Sequence, residues 1–250
     1  MSTILITGGS RGLGRNMALA TAKNGHDIII TYNANKAAAD EVVKAIESLG
    51  RKAAAFQLNT ANTKEFDQFF AQVAAYQTKV SGSANIDFLV NNAGVGYYAG
   101  VQEVTEENMD LIYNVHYKGV YMLTQKALPY LNNGGGIVNV SSGLTRMTLP
   151  GSSVYGSLKA AVETFSRYMA KELGPRKIRV NVIAPGAIET DFGGGRVRDN
   201  KELNDQIAGY TSLGRVGLPD DIGGVVAFLC SKEAYWINAQ RIEVSGGQAL

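Results

Sequence analysis

Two side chains that can exchange a proton lie four residues apart in the second half of the chain. Tyr155 and Lys159 fall in a predicted helix from about Ser153 to Leu173, and residues four apart share one face of a helix. A phenol with a pKa of about 10 is a poor acid at neutral pH, but a neighbouring ammonium group stabilises its ionised form. The spacing predicts a tyrosine whose pKa Lys159 lowers and which takes part in general acid–base catalysis.

A serine is a third candidate for this chemistry. Ser142 comes shortly after a predicted strand, Ile137 to Val140, and active groups in open α/β sheets gather at the carboxyl ends of strands. The alternatives are ordinary structural roles. Tyr155 is one of 12 tyrosines and could be an amphipathic-helix residue, and Ser142 could be a helix cap or turn residue.

A glycine-rich turn follows the first predicted strand. The segment Thr7-Gly8-Gly9-Ser10-Arg11-Gly12-Leu13-Gly14 precedes the helical stretch Asn16 to Lys23. Glycines let the chain turn sharply, approach a pyrophosphate and point the N–H groups of a helix N-terminus at its charge. The spacing differs from the common GxGxxG fingerprint, and a glycine-rich turn occurs in many α/β proteins. Its position at the first strand–helix junction favours dinucleotide binding.

The end of the second predicted strand carries no carboxylate. Proteins that prefer NAD place an acidic residue about 20 residues after the loop, where it binds the ribose 2′-hydroxyl. Here the chain reads Thr31-Tyr-Asn33-Ala-Asn-Lys36. Arg11, with Lys36 or Asn33, can pair with a 2′-phosphate through charge-assisted hydrogen bonds. This predicts NADPH over NADH, with ordinary solvated charges as the alternative.

Short apolar runs alternate with helical patterns along the chain and must position these groups. The seven strand candidates are Ile4–Ile6, Ile28–Ile30, Ala53–Leu58, Ile86–Val90, Ile137–Val140, Ile178–Ile183 and Arg241–Val244. Strands that are continuously apolar are buried on both faces, as in a parallel sheet covered by helices on each side. We predict one Rossmann-like, doubly wound α/β domain over residues 1–250.

Composition limits the classes of partner and location. Apolar residues make up 45% of the chain, and 24 basic residues nearly balance 22 acidic ones. No basic block suggests nucleic acid, no metal cluster is evident, and no signal peptide or membrane span is recognisable. We expect a cytoplasmic protein with a small-molecule partner, and we expect Cys230 to be a buried thiol.

In these motifs the chain resembles the short-chain dehydrogenase/reductase family over nearly its whole length. The motifs, in family order, are Thr7-Gly-x3-Gly-x-Gly14, Asn91-Asn-Ala-Gly94, Asn114, Ser142, Tyr155-x3-Lys159 and Pro185-Gly186. The resemblance implies a seven-stranded parallel sheet of order 3-2-1-4-5-6-7, an NAD(P)-dependent reaction between carbonyl and alcohol, and usually a homotetramer.

The resemblance also implies residue roles. Tyr155 is the general acid, Lys159 tunes it and holds the nicotinamide ribose, Ser142 hydrogen-bonds the substrate oxygen, and Asn114 anchors a water in a proton relay. The implied cofactor contacts are Gly8, Ser10, Arg11, Gly12, Leu13, Gly14, Asn33, Lys36, Asn59, Asn91, Ala93, Gly94, Tyr155, Lys159, Pro185, Gly186, Ile188 and Thr190. Asn59 is a departure, since many relatives carry an aspartate that binds the adenine amine there. Its amide oxygen can still accept a hydrogen bond.

The glycine-rich segment Asp191 to Arg198 is expected to cover the active site as a flexible lid. A hydrophobic or aryl ketone is the expected substrate, because apolar and aromatic residues could line a pocket beneath that lid. These residues are Tyr97, Tyr98, Leu144, Met147, Leu149 and Phe192. They could instead belong to the core or to a subunit interface.

Three other functions stay open. A 3-oxoacyl-carrier-protein reductase would need a basic docking surface near the helix before the fifth strand. That helix is expected to end over Pro129 to Gly134, which holds no Lys or Arg, although Lys126, Arg167 or Arg176 could contribute. The others are a sugar or steroid alcohol dehydrogenase and a nucleotide-binding regulator without turnover. The C-terminal Ile242–Leu250 and the helices around Asn108 to Leu131 and Ser153 to Leu173 are the expected subunit interfaces.

Overall fold

A single parallel sheet organises the chain. The computed structural model describes residues 2–250, and its seven strands are hydrogen-bonded in the order β3-β2-β1-β4-β5-β6-β7. The strands are β1 (Thr3–Ile6), β2 (Asp27–Tyr32), β3 (Ala53–Gln57), β4 (Ile86–Asn91), β5 (Leu131–Val140), β6 (Arg179–Pro185) and β7 (Arg241–Val244). The order reverses between β1 and β4, the place where doubly wound sheets bind their ligands. The predicted fold class and strand order are confirmed.

Alternate residues of the strands pack into two separate cores. Ile4 and Ile6 contribute to a core on one face, whereas Leu5 contributes to the core on the other. All three are fully buried. Because both faces are covered by helices, alternation of apolar and polar residues is lost, which is why the strands appear as continuous apolar runs in the sequence.

The helices divide between the two faces. Their bounds are α1 (Gly12–Lys23), α2 (Lys36–Ser48), α3 (Phe66–Ser81), α4 (Glu106–Tyr113), α5 (Gly119–Ala127), α6 (Ser153–Glu172), α7 (Arg196–Asp199), α8 (Lys201–Gly209) and α9 (Asp220–Leu229). Helices α1, α2 and α9 pack on one face, and α3, α5 and α6 on the other. Gly25 and Gly50 follow α1 and α2 with φ angles of 91° and 75°, the left-handed conformation in which glycine ends a helix.

The end of the helix before β5 differs from the sequence prediction. A short 3₁₀ turn, Leu128–Tyr130, follows α5, and the chain enters the sheet at once. Leu131 is buried and pairs with Ile86 of β4, so the predicted helical end over Pro129 to Gly134 is wrong. The stretch has low helical propensity because it contains a proline, two asparagines and a glycine, and the pairing and burial of Leu131 favour the strand.

Two further features concern residues 2–250. No helix in this range is long and apolar enough to cross a membrane, and no group of three or more His, Cys, Asp or Glu side chains in it could hold a metal ion. Cys230 is buried, as expected, and burial raises the pKa of its thiol to about 12.

Candidate functional site

The turn between β1 and α1 forms a cradle of backbone. Gly8 and Gly12 have φ angles of +66° and +54°, and a Cβ on Gly14 would lie 2.1 Å from the carbonyl oxygen of Gly8. Ser10 and Leu13 belong to the same turn. No side chain caps the first turn of α1, whose cap residue is Arg11. The first N–H groups of the helix therefore lack a side-chain acceptor, an arrangement that fits a pyrophosphate.

Two neighbouring strands hold this turn in place. The backbone N–H of Gly8 donates to Thr31 Oγ1 (3.1 Å), and Gly9 N–H donates to the carbonyl of Thr31 (2.8 Å). From β4, the side-chain amide of Asn92 donates to the carbonyls of Thr7 (2.9 Å) and Gly8 (3.2 Å). Asn92 was not among the predicted site residues, although it lies in the Asn91-Asn-Ala-Gly94 motif and an amide suits the bridging of two backbones.

The side chain of Asn91 serves the core. Its amide nitrogen donates to Thr124 Oγ1 (3.0 Å) and Asn139 Oδ1 (2.7 Å), and all three residues are buried. The Oδ1 atom of Asn91 has no hydrogen-bond partner, and the predicted cofactor contact of this residue stays a prediction. The next backbone groups are also fixed, since Ala93 N–H donates to Thr7 Oγ1 (3.0 Å), and a Cβ on Gly94 would lie 2.7 Å from the imidazole of His116.

The residues predicted to select the cofactor are exposed, one at the start of α1 and two just after β2. Arg11, Asn33 and Lys36 are all exposed. Lys36 pairs with Asp40 one turn later in α2 (2.7 Å). An exposed ion pair is weak because water and salt screen it, so a phosphate can compete for the ammonium group. Asn59, also exposed, accepts the Ala61 N–H with its amide oxygen (3.0 Å), which leaves one lone pair for another donor.

The segment after β6 crosses toward the glycine turn. Pro185 ends β6 and pairs with Val244 of β7. Gly186 N–H donates to the Val244 carbonyl (3.1 Å). Ile188 bridges Gly217, and a Cβ on Gly12 would lie 3.6 Å from the side chain of Thr190. The predicted contacts Ile188 and Thr190 thus belong to a strap anchored at both ends and lying over the cradle.

Tyr155 and Lys159 share one face of α6, as their spacing predicts. The Lys159 Nζ lies 5.6 Å from the centroid of the Tyr155 ring and donates to the carbonyl of Val140 (2.7 Å). Lys159 is buried, and burial lowers the pKa of its ammonium group to about 8. An uncharged lysine is therefore within reach at mildly alkaline pH.

The expected lowering of the Tyr155 pKa is not found. Burial raises the pKa of the phenol above its ordinary value, the nearby phenol of Tyr98 acts in the same direction, and the hydroxyl of Ser142 opposes both. Desolvation of the phenolate outweighs the ammonium group because that group is directed at the Val140 carbonyl. At neutral pH Tyr155 retains its proton.

Ser142 is a cap residue, which was the structural alternative for it, and its predicted role at the substrate oxygen stays a prediction. Its Oγ accepts the N–H of Leu144 (3.2 Å) at the start of a 3₁₀ turn, Gly143–Thr145. The same hydroxyl interacts with Tyr155. The helix cap thus fixes the hydroxyl beside the phenol, at the carboxyl end of β5.

The helix opposite Tyr155 contains an irregular turn. Between α4 and α5 lies a π-helical turn, Asn114–Lys118, in which the carbonyl of Asn114 accepts the N–H of Gly119. The turn directs His116 at the site: its imidazole is 5.0 Å from the Tyr155 ring, centroid to centroid, in a T-shaped arrangement. The role predicted for Asn114 stays a prediction, and no sequence pattern pointed to His116, since one extra residue per turn shifts the helical period.

His116 is buried and bound through one nitrogen only. Its Nε2 lies 2.8 Å from the carbonyl oxygen and 3.2 Å from the amide nitrogen of Val95, whereas its Nδ1 has no hydrogen-bond partner. Burial, and to a smaller extent the charge of Lys159, lower the pKa of the imidazole to about 3. The ring is therefore neutral at physiological pH.

Aromatic side chains enclose the phenol from the solvent side. The ring of Phe192 lies 5.9 Å from that of Tyr155, and the Arg196 guanidinium lies 5.2 Å from the ring of Tyr98. A Cβ on Gly193 would lie 3.1 Å from Tyr98. Of the predicted pocket residues, the structure therefore places Phe192 and Tyr98 at Tyr155. Tyr97, Leu144, Met147 and Leu149 stay predicted, and Leu149 is exposed.

Comparison with known proteins extends this picture. The family model described as Enoyl-(Acyl carrier protein) reductase matches residues 8–249. An uncharacterized oxidoreductase of Methylorubrum extorquens is 40% identical over 97% of this chain and 96% of its own. Tetrahydroxynaphthalene reductase PfmaG of Pestalotiopsis fici is 36% identical over 97% of this chain and 90% of its own.

Solved structures of similar proteins superimpose closely. The promiscuous reductase LugOII, which catalyses keto-reduction at C1 during lugdunomycin biosynthesis, has a TM-score of 0.94 at 36% identity and covers 100% of this chain and 98% of its own. The landomycin C-6 ketoreductase LanV, with bound NADP and rabelomycin, has a TM-score of 0.90 at 35% identity and covers 99% and 96%. The chain is thus an oxidoreductase that belongs to the short-chain dehydrogenase/reductase family.

Proposed function

We propose that the protein is an NADPH-dependent reductase that converts a hydrophobic aryl ketone to a secondary alcohol, in a reversible reaction. The observation that carries the proposal is the phenol of Tyr155, protonated at neutral pH, beside the hydroxyl of Ser142 and 5.6 Å from Lys159. Reduction of a ketone needs a proton donor held at the carbonyl oxygen, and this arrangement supplies one.

Different residues bind the cofactor, bind the substrate oxygen and transfer the proton. NADPH, when bound, supplies the hydride. The cradle from Gly8 to Gly14 would hold its pyrophosphate, and the Ile188–Thr190 strap its nicotinamide half. Ser142 donates a hydrogen bond to the substrate oxygen, Tyr155 transfers its proton to that oxygen, and the Lys159 ammonium group stabilises the resulting phenolate.

Two observations support NADPH over NADH. Arg11, the cap residue of α1, and Lys36, the first residue of α2 after β2, are exposed cations, and Asp40, one turn later in α2, is paired with Lys36. No free carboxylate is therefore positioned there to repel a 2′-phosphate. LanV, a similar structure, binds NADP.

Two observations support an aromatic substrate. Phe192 and Tyr98 place aromatic surface beside the phenol of Tyr155, and flat aromatic compounds pack well on such side chains. Among similar proteins, LanV binds rabelomycin and PfmaG is named for a naphthalene substrate.

A carrier-protein substrate is the second candidate, but the cations of the expected docking surface give it little support. Acidic carrier proteins need free cations for docking. Lys126 is paired with Asp67 (2.7 Å), and Arg176 donates to the carbonyl of Leu128 and to the side chain of Asn133. The Lys126–Asp67 pair is exposed, so an acidic partner can compete for Lys126, whereas Arg176 is held by neutral acceptors of its own chain.

A homotetramer accounts for apolar surface outside the site. Large side chains are exposed on the α4–α5 side and near the C-terminal segment: Met109, Leu111, Tyr121, Trp236 and Leu250. Trp236 is completely exposed, which is unusual for so large an apolar group. Light scattering that gives the mass of a monomer would contradict the tetramer.

Initial rates test the proposed function. Oxidation of NADPH and NADH by the pure protein is measured with aryl ketones, alkyl ketones and an oxoacyl thioester, with sugar and steroid alcohols in the reverse direction. We expect NADPH and aryl ketones to give the highest kcat/KM. Turnover of the thioester alone would favour the carrier-protein alternative, and binding of NADPH without any turnover would favour the regulator.

A further inference from the structure

A carboxylate that is mostly shielded from solvent lies next to the turn that begins at Ser142. One oxygen of Glu163, on α6 two turns after Tyr155, accepts the hydroxyls of Ser141 (2.6 Å) and Thr145 (2.8 Å). It also accepts the Nε–H of Arg241 from β7 (2.8 Å). Glu163 therefore ties both sides of the Ser142 turn to the helix that carries Tyr155.

Arg241 holds the turn from the sheet side. Its Nη2 donates to the carbonyl of Ser142 (3.3 Å) and to Thr145 Oγ1 (3.1 Å). The Thr145 Oγ1 lies 3.0 Å from that carbonyl, so its single proton is shared between the carbonyl and Glu163. The side chains of Glu163 and Arg241 are only 12% and 24% exposed, so water competes weakly for these hydrogen bonds. Hydrogen bonds thus hold the Ser142 carbonyl itself and the side chains of Ser141 and Thr145, which flank it in the turn.

The ion pairs continue to the last residues of the chain. Glu243 accepts from Arg241 (3.2 Å) and from Arg146 (2.9 Å). Arg146 donates to the carbonyls of Gln248 (2.7 Å) and Ala249 (2.9 Å). The amide oxygen of Gln248 in turn accepts the Ala187 N–H (2.8 Å) from the strap after β6. One polar chain therefore links the Ser142 turn, the segment 248–249 and the strap.

We infer that Glu163 and Arg241 are positioning residues that fix Ser142 relative to Tyr155. Glu243 and Arg146 connect Arg241 to residues 248–249. The inference rests on the proposed function insofar as it gives Ser142 the substrate oxygen to bind. Neither residue touches the reacting atoms, so their effect is geometric. A displacement of a reacting group by about 1 Å can cost about a hundredfold in rate.

The first test separates positioning from binding and folding. In Arg241→Gln and Glu163→Gln we expect kcat for an aryl ketone to fall about ten- to a hundredfold, while the Kd for NADPH, measured by titration calorimetry, stays within about threefold. Arg241→Lys keeps the charge but not the forked donor and is expected to recover only part of kcat. Thermal unfolding checks that each variant is folded.

Arg51→Gln is the matched control. Arg51 precedes β3 at the edge of the sheet opposite the site, where it donates to the carbonyl of Gly25 (2.9 Å), and the substitution removes the same charge. A kcat in Arg241→Gln equal to that of Arg51→Gln would overturn the inference.

A double variant shows whether Arg241 acts through Ser142. If it does, Ser142→Ala combined with Arg241→Gln loses no more activity than Ser142→Ala alone. Losses that multiply would mean that Arg241 acts elsewhere and would overturn the assignment.

Hydrogen exchange tests the same inference without turnover. We expect the segment 141–147, including the Leu144 amide bound to Ser142 Oγ (3.2 Å), to exchange faster in Arg241→Gln than in wild type, with or without a ketone. Unchanged exchange would refute the positioning role even if the wild-type protein reduced no ketone. Faster exchange with no wild-type turnover would instead count against the proposed function alone.

Discussion

The imidazole of His116 meets the ring of Tyr155 at an interplanar angle of 80°, with 5.0 Å between the ring centroids. The backbone of Val95 binds the Nε2 of that imidazole, so the ring cannot rotate freely. The neutral imidazole, which donates no hydrogen bond to Tyr155, therefore packs against one side of this proton donor.

Replacing His116 should change the stability of the protein in acid. Its pKa is about 3 in the folded protein, whereas an ordinary histidine titrates near 6.5. Between these values the unfolded chain binds the additional proton, so the free energy of unfolding falls as the pH is lowered from 6.5 toward 3. We expect a flatter dependence for His116→Gln, by at most about 1.4 kcal/mol per pH unit, in urea unfolding at pH 4–7. His26, whose pKa burial also lowers, is present in both proteins and cancels. Parallel curves would contradict a neutral, buried His116.

Removing the Tyr155 hydroxyl should abolish turnover but not binding. General acid catalysis contributes about 10²–10⁴-fold to rate, so we expect kcat for ketone reduction in Tyr155→Phe to fall at least that far. The NADPH Kd should change little, because Phe keeps the ring that packs against Phe192. Tyr168→Phe, on the same helix and 66% exposed, is the matched control. Full turnover in Tyr155→Phe would remove the tyrosine from the mechanism.

Lys159 should make the free energy of unfolding of the cofactor-free protein depend on pH in the alkaline range. Its folded pKa is about 8, below the ordinary value of about 10.4. In this window the unfolded chain holds the proton that the folded protein has lost, so stability rises with pH from about 8 to about 10. Lys159→Met should lack that rise, while Lys171→Met, an exposed lysine on the same helix, should keep it. The measurement is denaturant unfolding between pH 7 and 10, and a rise retained in Lys159→Met would disprove the assignment.

The glycine cradle allows a paired test with one substitution at two places. Gly14→Ala would put a Cβ 2.1 Å from the Gly8 carbonyl oxygen, whereas a Cβ on Gly224 in α9 meets nothing within 4 Å. We expect Gly14→Ala to weaken NADPH binding at least tenfold, or about 1.4 kcal/mol, because the turn must open. Gly224→Ala should bind normally and gain about 0.5–1 kcal/mol of stability. Equal NADPH affinities, measured by calorimetry, would show that the cradle does not contact the cofactor.

Arg11 should determine the choice between cofactors. Its guanidinium is exposed at the start of α1, where a 2′-phosphate could receive a charge-assisted hydrogen bond worth about 1.5–3 kcal/mol. We expect Arg11→Gln to reduce the ratio of kcat/KM for NADPH over NADH about tenfold or more, mainly through the NADPH value. Lys23→Gln, at the other end of α1, controls for lost charge. Equal efficiency of the wild-type protein with both cofactors would contradict the predicted preference.

Prediction from sequence was correct for the structural elements that a local sequence pattern determines. The continuous apolar runs around Ile4–Ile6 and Ile28–Ile30 indicated strands buried on both faces, and the position of the glycine turn indicated the cradle. The strand order required the family resemblance, since apolar pattern does not specify which strands pair.

The remainder depended on tertiary structure. The π-helical turn breaks the helical period by one residue and directs His116 at the site. The raised pKa of Tyr155 reflects burial, which side-chain spacing along one helix does not reveal. Glu163 and Arg241 are 78 residues apart and meet only when β7 joins the sheet. Charged residues of this kind look like surface positions in a sequence.

The carbonyl of Ser142 is bound by a side chain that follows 99 residues later. During synthesis the cradle, β5 and α6 leave the ribosome before Arg241 does, although one domain generally folds as a unit. A nascent chain that ends before β7 therefore contains Ser142, Tyr155 and Lys159. It lacks Arg241, whose side chain binds the carbonyl of Ser142. Because the Arg241 contacts are expected to contribute about ten- to a hundredfold to kcat, a chain that lacks β7 should be much less active than one that includes it.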